Sequence, residues 1–165
     1  MGAGKTTVGR VFARRHGLSF IDCDLELEAR TGVSVATIFE IEGETGFRQR
    51  ESALLEELLA QSSCVLATGG GVVLMPHNRQ LLEQHACVAY LKAAPRLLWE
   101  RTRHDKKRPL LQVADLRKRL ETLYHERDPL YHEVADIVID SGRGGPGGVV
   151  QQLENALLKM NLYHD

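Results

Sequence analysis

The sequence predicts an α/β protein in which helices cover both faces of a parallel β-sheet. Four short apolar runs alternate with longer segments whose apolar residues recur at helical spacing. Three of these runs are uninterrupted and rich in Val, Ile or Leu, which is typical of strands buried on both faces. Glycine-rich points interrupt the chain at residues 2–4, 69–71 and 142–148, where loops are expected.

The predicted elements follow one another in a regular order. Strands are expected over residues 18–22, 64–67, 87–91 and 137–140. Helices are expected over residues 6–16, 24–31, 35–41, 44–61, 78–85, 96–103, 114–127 and 147–160. Such alternation implies a three-layer α/β/α sandwich with right-handed crossovers, in which ligands bind beyond the carboxyl ends of the strands.

Length and composition place the chain among ordinary globular proteins. Its 165 residues suit one domain, and 43% hydrophobic with 26% charged residues argues against a disordered or collagen-like chain. A net charge of −1 does not favour nucleic acid or a membrane as partner. Three scattered cysteines and the absence of a secretory signal favour a reducing compartment. We expect residues 1–165 to form a single cytoplasmic domain that is monomeric.

The first residues match the second half of a phosphate-binding loop. Gly-Lys-Thr at residues 4–6 precedes a predicted helix, as in GxxxxGK[ST]. The glycines let backbone N–H groups converge, and the helix adds its positive dipole end. Lys5 would then reach the β- and γ-phosphates, and the Thr6 hydroxyl would bind Mg²⁺; a chance match at a flexible terminus is the alternative. The predicted phosphate-binding residues are Gly2, Ala3, Gly4, Lys5, Thr6 and Thr7.

The first glycine of that motif would lie ahead of Met1. So would the strand that feeds a phosphate loop, which normally lies in the middle of the sheet. We therefore expect roughly ten further residues ahead of Met1, including a buried apolar strand of about 4–8 residues.

Two carboxylates, Asp22 and Asp24, follow the first predicted strand. Residues two apart in an extended segment project to the same side, so both would face the phosphate loop. Asp22 is suited to holding Mg²⁺ or its water, and Asp24 to accepting a hydroxyl proton or orienting the nucleophile. Asp24 could instead be only the N-cap of the following helix.

Three consecutive glycines, Gly69, Gly70 and Gly71, follow the second predicted strand. A linker could contain them, but their place directly after a buried strand favours a loop whose backbone closely approaches a ligand.

The sequence contains three further candidate residues, Arg48, Arg108 and Arg127. Considered one at a time, each is most simply interpreted as a solvated surface arginine. The basic, proline-containing stretch around Arg108 could instead form a mobile lid, over about residues 104–114, that closes on phosphates and excludes water.

Taken together in this order, these motifs resemble those of the shikimate kinases, within the nucleoside-monophosphate-kinase-like P-loop proteins. The resemblance lies in residues 1–7, 20–24, 43–48 with Glu51, 69–71, 108–111 and 127–131. Gly-Lys-Thr alone is weakly specific, whereas the ordered set spans the chain almost end to end. It implies a five-stranded parallel sheet in the order 2-3-1-4-5, with strand 1 missing from this chain.

The resemblance also implies an activity. The γ-phosphate of ATP would pass to the 3-hydroxyl of shikimate, giving shikimate 3-phosphate and ADP on the route to chorismate and the aromatic amino acids. Lys5, Asp24 and Arg108 would act in catalysis, and Thr6 with Asp22 would hold the Mg²⁺ cofactor. Residues of about 24–61 would form the shikimate-binding region.

The remaining implied contacts divide between the two substrates. Arg101 would lie against adenine, Arg108 would reach the phosphates, and Arg143 would belong to an adenine loop. The implied shikimate-binding residues are Asp24, Arg48, Gly69, Gly70, Gly71 and Arg127.

Three alternatives remain open. Another small-molecule kinase of this fold, such as a gluconate or nucleoside monophosphate kinase, is disfavoured by the ordered motifs above. A non-catalytic or truncated P-loop nucleotide-binding module would bind ATP weakly without turnover. Nucleic-acid binding is the least favoured, because the basic stretch within residues 96–119 is short and lacks interleaved aromatics.

Overall fold

The computed structural model describes residues 2–61, 63–104, 111–142 and 144–160. In chain order its elements are α1 (Lys5–Arg15), β1 (Ser19–Asp22), α2 (Cys23–Thr31), α3 (Val35–Leu59), β2 (Cys64–Ala67), α4 (Pro76–His85), β3 (Ala89–Lys92), α5 (Pro95–Thr102), α6 (Leu116–Val134), β4 (Ile137–Asp140) and α7 (Gly145–Lys159). A short 3-10 turn, Val72–Leu74, precedes α4.

The strands form two parallel pairs. β1 pairs with β2, with Ser19 opposite Cys64, and β3 pairs with β4, with Ala89 opposite Ile137. The predicted α/β class with parallel strands is confirmed. The pairing agrees with the five-stranded order 2-3-1-4-5 if β1, β2, β3 and β4 correspond to strands 2, 3, 4 and 5 of that order. Among the described residues no strand joins β2 to β3, so the sheet consists of two half-sheets.

Helices supply the layers around these half-sheets. α1 packs against α7, and their apolar residues share a core with β3 and β4 that includes Phe12, Leu91 and Val150. α3 packs against α2 and α4, and α4 contacts α6. The strands thereby end at one edge, where the loops that follow them come together.

Helix α6 is longer than predicted. The sequence prediction ends the helix at residue 127 because proline removes a backbone N–H and clashes inside helices. In the structure, α6 continues through Pro129 to Val134. Val134 is buried and Leu130 and Tyr131 pack against the same core as Val72 and Leu82. This packing offsets the local cost of the proline.

Two further details refine the predicted elements. The sequence predicts a break between two helices near residues 42–43. In the structure this break is a kink inside α3 at Gly43, which has non-helical angles of φ 70° and ψ −177°. Ser34 is the N-cap of that helix and accepts a hydrogen bond from the Thr37 N–H. The expectation that β4 is buried on both faces is wrong: Ile137 and Ile139 are buried, but Val138 is 46% exposed. Within the described ranges β4 pairs only with β3, which makes it an edge strand.

Candidate active site

Asp22 connects the phosphate loop with the start of α2. Its Oδ2 accepts a hydrogen bond from the Thr6 hydroxyl at 2.7 Å. Its Oδ1 accepts the backbone N–H groups of Asp24 at 3.1 Å and Leu25 at 3.3 Å, which makes Asp22 the N-cap of α2. The alternative that Asp24 is the cap is therefore wrong.

Asp24 reaches the site by a different route from the one predicted. The chain becomes helical at Cys23, so Asp24 lies in the first turn of α2 and not in an extended segment. A Cβ added at Gly69 would lie 3.3 Å from Asp24 Oδ1 and 2.6 Å from Glu51 Oε1. Asp24 and Glu51 therefore both lie directly against the triple-glycine loop.

The phosphate loop is built mainly from backbone. Gly4 has a left-handed conformation, φ 94°, and is the N-cap of α1 without a side-chain capping bond. Lys5, Thr6 and Thr7 form the first turn of α1, after Gly2 and Ala3. This arrangement leaves first-turn N–H groups without a capping side chain, which suits an anion.

Arg101 links this loop to the loop after β4. Its Nη1 donates to the Gly2 carbonyl at 3.1 Å and its Nη2 to the Ser141 carbonyl at 3.0 Å. The predicted adenine-contacting arginine thus lies between the two loops predicted to hold the nucleotide. The predicted residues Arg108 and Arg143 lie outside the described residues, as do residues 105–110 of the expected lid.

Arg48 is buried, which contradicts its interpretation as a surface residue. Arg48 and Glu51 are only 7% and 5% exposed, and Arg48 Nη1 donates to Glu51 Oε2 at 2.6 Å. Arg48 Nη2 also contacts Glu44 Oε1 at 3.3 Å. A Cβ at Gly71 would overlap the Arg48 guanidinium, so any other residue at this position would displace that side chain. The triple-glycine loop therefore packs on Arg48 rather than acting as a linker.

Arg127 is likewise buried, with 4% exposure, so the surface interpretation is wrong here too. Among the described residues its Nε has no hydrogen-bond partner, while its guanidinium hydrogen-bonds the Tyr131 hydroxyl and acts to lower the pKa of Glu51. Tyr131, one helical turn later, donates its hydroxyl hydrogen bond to the Gly70 carbonyl. α6 thus presents Arg127 beside the loop that already contacts Asp24 and Arg48.

Burial dominates the electrostatics of this site. It raises the pKa of Glu51, a shift opposed by the Arg48 and Arg127 guanidinium groups and reinforced by Asp24. It also raises the pKa of Tyr131 against the opposing effect of the same two arginines. Burial, with the nearby Asp24 and Asp22 charges, raises the pKa of Cys23 to about 12, so this thiol stays protonated at neutral pH.

Sequence reasoning did not assign roles to the residues that support Arg127. Asp128 Oδ1 accepts the Tyr90 hydroxyl at 2.8 Å and lies 3.3 Å from Lys92 Nζ, which ties α6 to β3. Glu51 and Tyr131 were likewise noted only within motifs. Asp128 and Tyr131 lie within four residues of Arg127 and on either side of Pro129, and this clustering is the signal that could have identified them.

The Thr6–Asp22 pair is compatible with Mg²⁺. A hydroxyl and a carboxylate oxygen lie together at the N-terminus of α1, and oxygen ligands are the ones that Mg²⁺ prefers. Mg²⁺ usually keeps several waters, so two protein oxygens are enough. No group of three or more His, Cys, Asp or Glu suited to another metal occurs in the part of the chain that the structure describes.

Comparison with known proteins identifies the family. The shikimate kinase family model matches residues 1–158. The chain belongs to the shikimate kinase family. It is 64% identical over 157 residues to the shikimate kinase of Aromatoleum aromaticum, covering 95% of this chain and 90% of that protein. It is 56% identical over 158 residues to that of Chromobacterium violaceum, covering 96% and 86%.

Solved structures of shikimate kinases share the fold. The Acinetobacter baumannii enzyme, solved in complex with shikimate, has a TM-score of 0.95 and 45% identity, covering 99% of this chain and 91% of that one. The Aquifex aeolicus enzyme has a TM-score of 0.85 and 30% identity, covering 98% and 94%. The resemblance drawn from the motifs is therefore confirmed. No described helix is long and apolar enough to cross a membrane.

Proposed function

We propose that this member of the shikimate kinase family transfers the γ-phosphate of ATP to the 3-hydroxyl of shikimate. The observation that supports it most directly is the pair of buried arginines around the triple-glycine loop, beside the Asp24 carboxylate. A site of this kind suits a small anionic molecule that carries a hydroxyl group.

The acceptor carboxylate is bound mainly by Arg127. Arg48 is already paired with Glu51, whereas the Nε of the buried Arg127 has no hydrogen-bond partner among the described residues. A bound carboxylate supplies that missing partner, and a forked arginine contact fixes its plane. Gly69, Gly70 and Gly71 let the ring approach the backbone, and Arg48 supplies a second positive charge.

Asp24 acts on the hydroxyl group. With the carboxylate fixed at Arg127, Asp24 accepts the hydrogen bond of the 3-hydroxyl and takes its proton as the oxygen attacks phosphorus. The attacking oxygen then bonds to the γ-phosphorus, and the bond to the ADP oxygen breaks. Positioning and charge stabilisation provide most of the rate acceleration in phosphoryl transfer.

The phosphate side carries the complementary charges. Backbone N–H groups of residues 2–7 and the Lys5 ammonium bind the ATP phosphates, Arg101 and Arg143 lie on the adenine side, and Arg108 reaches the transferring group. Thr6 and Asp22 would hold Mg²⁺, which would supply positive charge to the phosphate groups. We further propose that the protein is a cytoplasmic monomer without a nucleic-acid or membrane partner.

The proposal is tested by ADP release from Mg-ATP with and without shikimate. Turnover that depends on shikimate, with shikimate 3-phosphate as product, supports it. Equal turnover with gluconate or a nucleoside monophosphate would instead support another kinase of the same fold. ATP binding without turnover on any of these acceptors would support a nucleotide-binding module.

Asp24→Asn tests the assigned chemistry within that assay. It removes the proton acceptor, so we expect kcat to fall by about 10²- to 10⁴-fold with little change in ATP affinity. Glu26→Gln, on the same helix and ion-paired with Arg30 instead of facing the triple-glycine loop, is the matched control. Wild-type turnover in Asp24→Asn would remove Asp24 from this role.

A further inference from the structure

The backbone that continues the triple-glycine loop is held by side chains of α4. Beyond the three glycines the chain forms the 3-10 turn Val72–Leu74 and then enters α4. The Val73 carbonyl accepts a hydrogen bond from Arg79 Nη1 at 2.9 Å. The Val72 carbonyl accepts one from the Nδ2 of the buried Asn78, also at 2.9 Å. The first turns of α4 therefore fix the orientation of these two peptide groups.

Arg79 also reaches α6. Its Nε donates to Glu133 Oε1 at 2.8 Å, so one guanidinium joins the turn to the end of α6. The Arg79 side chain is mostly buried, whereas that of Glu133 is half-exposed. Arg127 lies earlier on the same helix, by roughly 9 Å at a rise of about 1.5 Å per residue.

The triple-glycine loop and its turn are thus attached to α6 at two points. The first attachment is direct, from the Tyr131 hydroxyl to the Gly70 carbonyl. The second runs through Arg79 to Glu133. One attachment lets a loop pivot, whereas two fix both its distance and its orientation. Because α6 also carries Arg127, the two attachments hold the glycines and this buried arginine in a fixed relation.

Apolar packing between the same elements does not supply this alignment. Val72 and Val73 share a buried cluster with Leu82 of α4 and Val134 of α6. Such packing is non-directional, so it holds the elements together without fixing the rotation of single peptide groups. Hydrogen bonds to carbonyl oxygens have preferred directions and fix that rotation. The specific contribution of Arg79 is therefore orientation of the loop backbone.

We propose that Arg79 is a positioning residue for the acceptor substrate. It bridges the turn after the triple-glycine loop to Glu133 and so keeps the loop backbone aligned with Arg127. It acts through these groups and does not touch the acceptor itself. The inference rests on the proposed function, because shikimate is the molecule that would lie between Arg127 and the glycines.

The bridge depends on the shape of the guanidinium group. Nε and Nη1 of Arg79 donate at the same time to a carboxylate and to a carbonyl oxygen. Lysine keeps the charge, but its single compact ammonium group cannot contact both acceptors in this geometry. We expect Arg79→Ala to raise KM for shikimate about tenfold and Arg79→Lys to raise it several-fold. KM for ATP should stay within about twofold of wild type in both variants.

Arg15→Ala is the matched control. Arg15 pairs with Glu154 at 3.3 Å and joins α1 to α7, and again one side chain of the pair is mostly buried and the other half-exposed. Both alanine variants should lose similar stability in denaturant unfolding, but only Arg79→Ala should change KM for shikimate. An unchanged KM for shikimate in Arg79→Ala, or equal changes in both KM values, would make Arg79 merely structural and overturn the proposal.

A double-mutant cycle tests whether Glu133 acts through Arg79. Glu133→Ala alone is expected to raise KM for shikimate about two- to threefold, because Arg79 keeps only its contact with the turn. In the Arg79→Ala background the same substitution should have no further effect, since its partner is gone. Additive effects of the two substitutions would overturn the bridge.

Hydrogen exchange without substrate separates the bridge from the reaction. The Val72 N–H donates to the Gly69 carbonyl at 3.2 Å, and the Leu74 N–H to the Gly71 carbonyl at 3.0 Å. Arg79→Ala should speed exchange of these two amides several-fold, with the amides of β4 unchanged. Unchanged exchange would overturn the bridge whether or not shikimate is phosphorylated. Faster exchange in a protein whose wild type does not turn over shikimate would instead refute the proposed function, and with it the role in acceptor binding.

Discussion

The acceptor side and the nucleotide side of the site are built in different ways. On the acceptor side, Arg48, Glu51 and Arg127 are almost completely buried, and side chains contact one another and the triple-glycine loop. On the nucleotide side, the loop of residues 2–4 is held by backbone geometry and by Arg101, which donates to carbonyl groups.

This difference has a physical consequence for binding. Buried charged side chains are fixed by packing before any ligand arrives, and their desolvation reduces stability. A backbone loop carries little buried charge, but its shape depends on the elements that support it. Substitutions on the acceptor side should therefore change shikimate affinity and stability, while changes in the elements that support the phosphate loop should act on nucleotide binding.

Arg127→Ala gives the largest effect expected from this comparison. It removes the charged group that receives the acceptor carboxylate, so KM for shikimate should rise about 10- to 100-fold, with KM for ATP nearly constant. Arg117→Ala, on the same helix with a side chain 68% exposed, is the control. Steady-state kinetics with each substrate varied measures both values. Equal changes in the two KM values would erase the distinction between the sides.

Tyr131→Phe should have a smaller effect in the same direction. It removes the hydroxyl that donates to the Gly70 carbonyl, a loss of about 1 kcal/mol, or roughly fivefold in KM for shikimate. Tyr124→Phe, elsewhere on α6, removes a hydroxyl that hydrogen-bonds to Lys92 and not to the triple-glycine loop, and serves as the control. If kcat falls while KM stays constant, Tyr131 does not position the acceptor loop.

Glu51→Gln tests the cost of buried charge through pH. The folded-state pKa of Glu51 is raised above its ordinary value of 4.5, so the native protein binds more protons than the unfolded chain just above that pH. The contribution of Glu51 to stability is therefore fully present below pH 4.5 and is lost as pH rises through the folded-state pKa. Denaturant unfolding of wild type and Glu51→Gln between pH 4 and about 7 should show wild type losing stability relative to the variant.

The control for that experiment lies on the same helix. Exposed Glu57 has a lowered pKa because Arg30 donates a hydrogen bond to it, so its contribution has the opposite sign. Wild type should gain a little stability relative to Glu57→Gln as pH rises. If wild type gained stability relative to both variants as pH rises, burial would not raise the pKa of Glu51 in the folded protein.

Apolar runs and glycines predicted the strands and most helices, because these elements depend mainly on residues that are close in the sequence. Asp22 was assigned to the correct position, beside Thr6, from strand-end reasoning alone. The burial of Arg48 and Arg127 could not be derived singly, since it depends on α3, α6 and the triple-glycine loop meeting in space. The prediction that α6 ends before Pro129 failed for the same reason. The packing of the residues after Pro129 into the cluster that contains Leu82 outweighs the local cost of a proline in a helix.

Gly43 has a consequence for mutational surveys of this fold. A Cβ at this position would meet nothing within 4 Å, so by space alone every side chain is admissible. Its φ of 70° and ψ of −177° nevertheless fall in a region that is essentially restricted to glycine. A deep mutational scan would score position 43 as intolerant although a Cβ there would contact no other described residue. Intolerance to substitution at an exposed position can therefore result from the dihedral angles that a chain bend requires. Such a position could be mistaken for a binding residue.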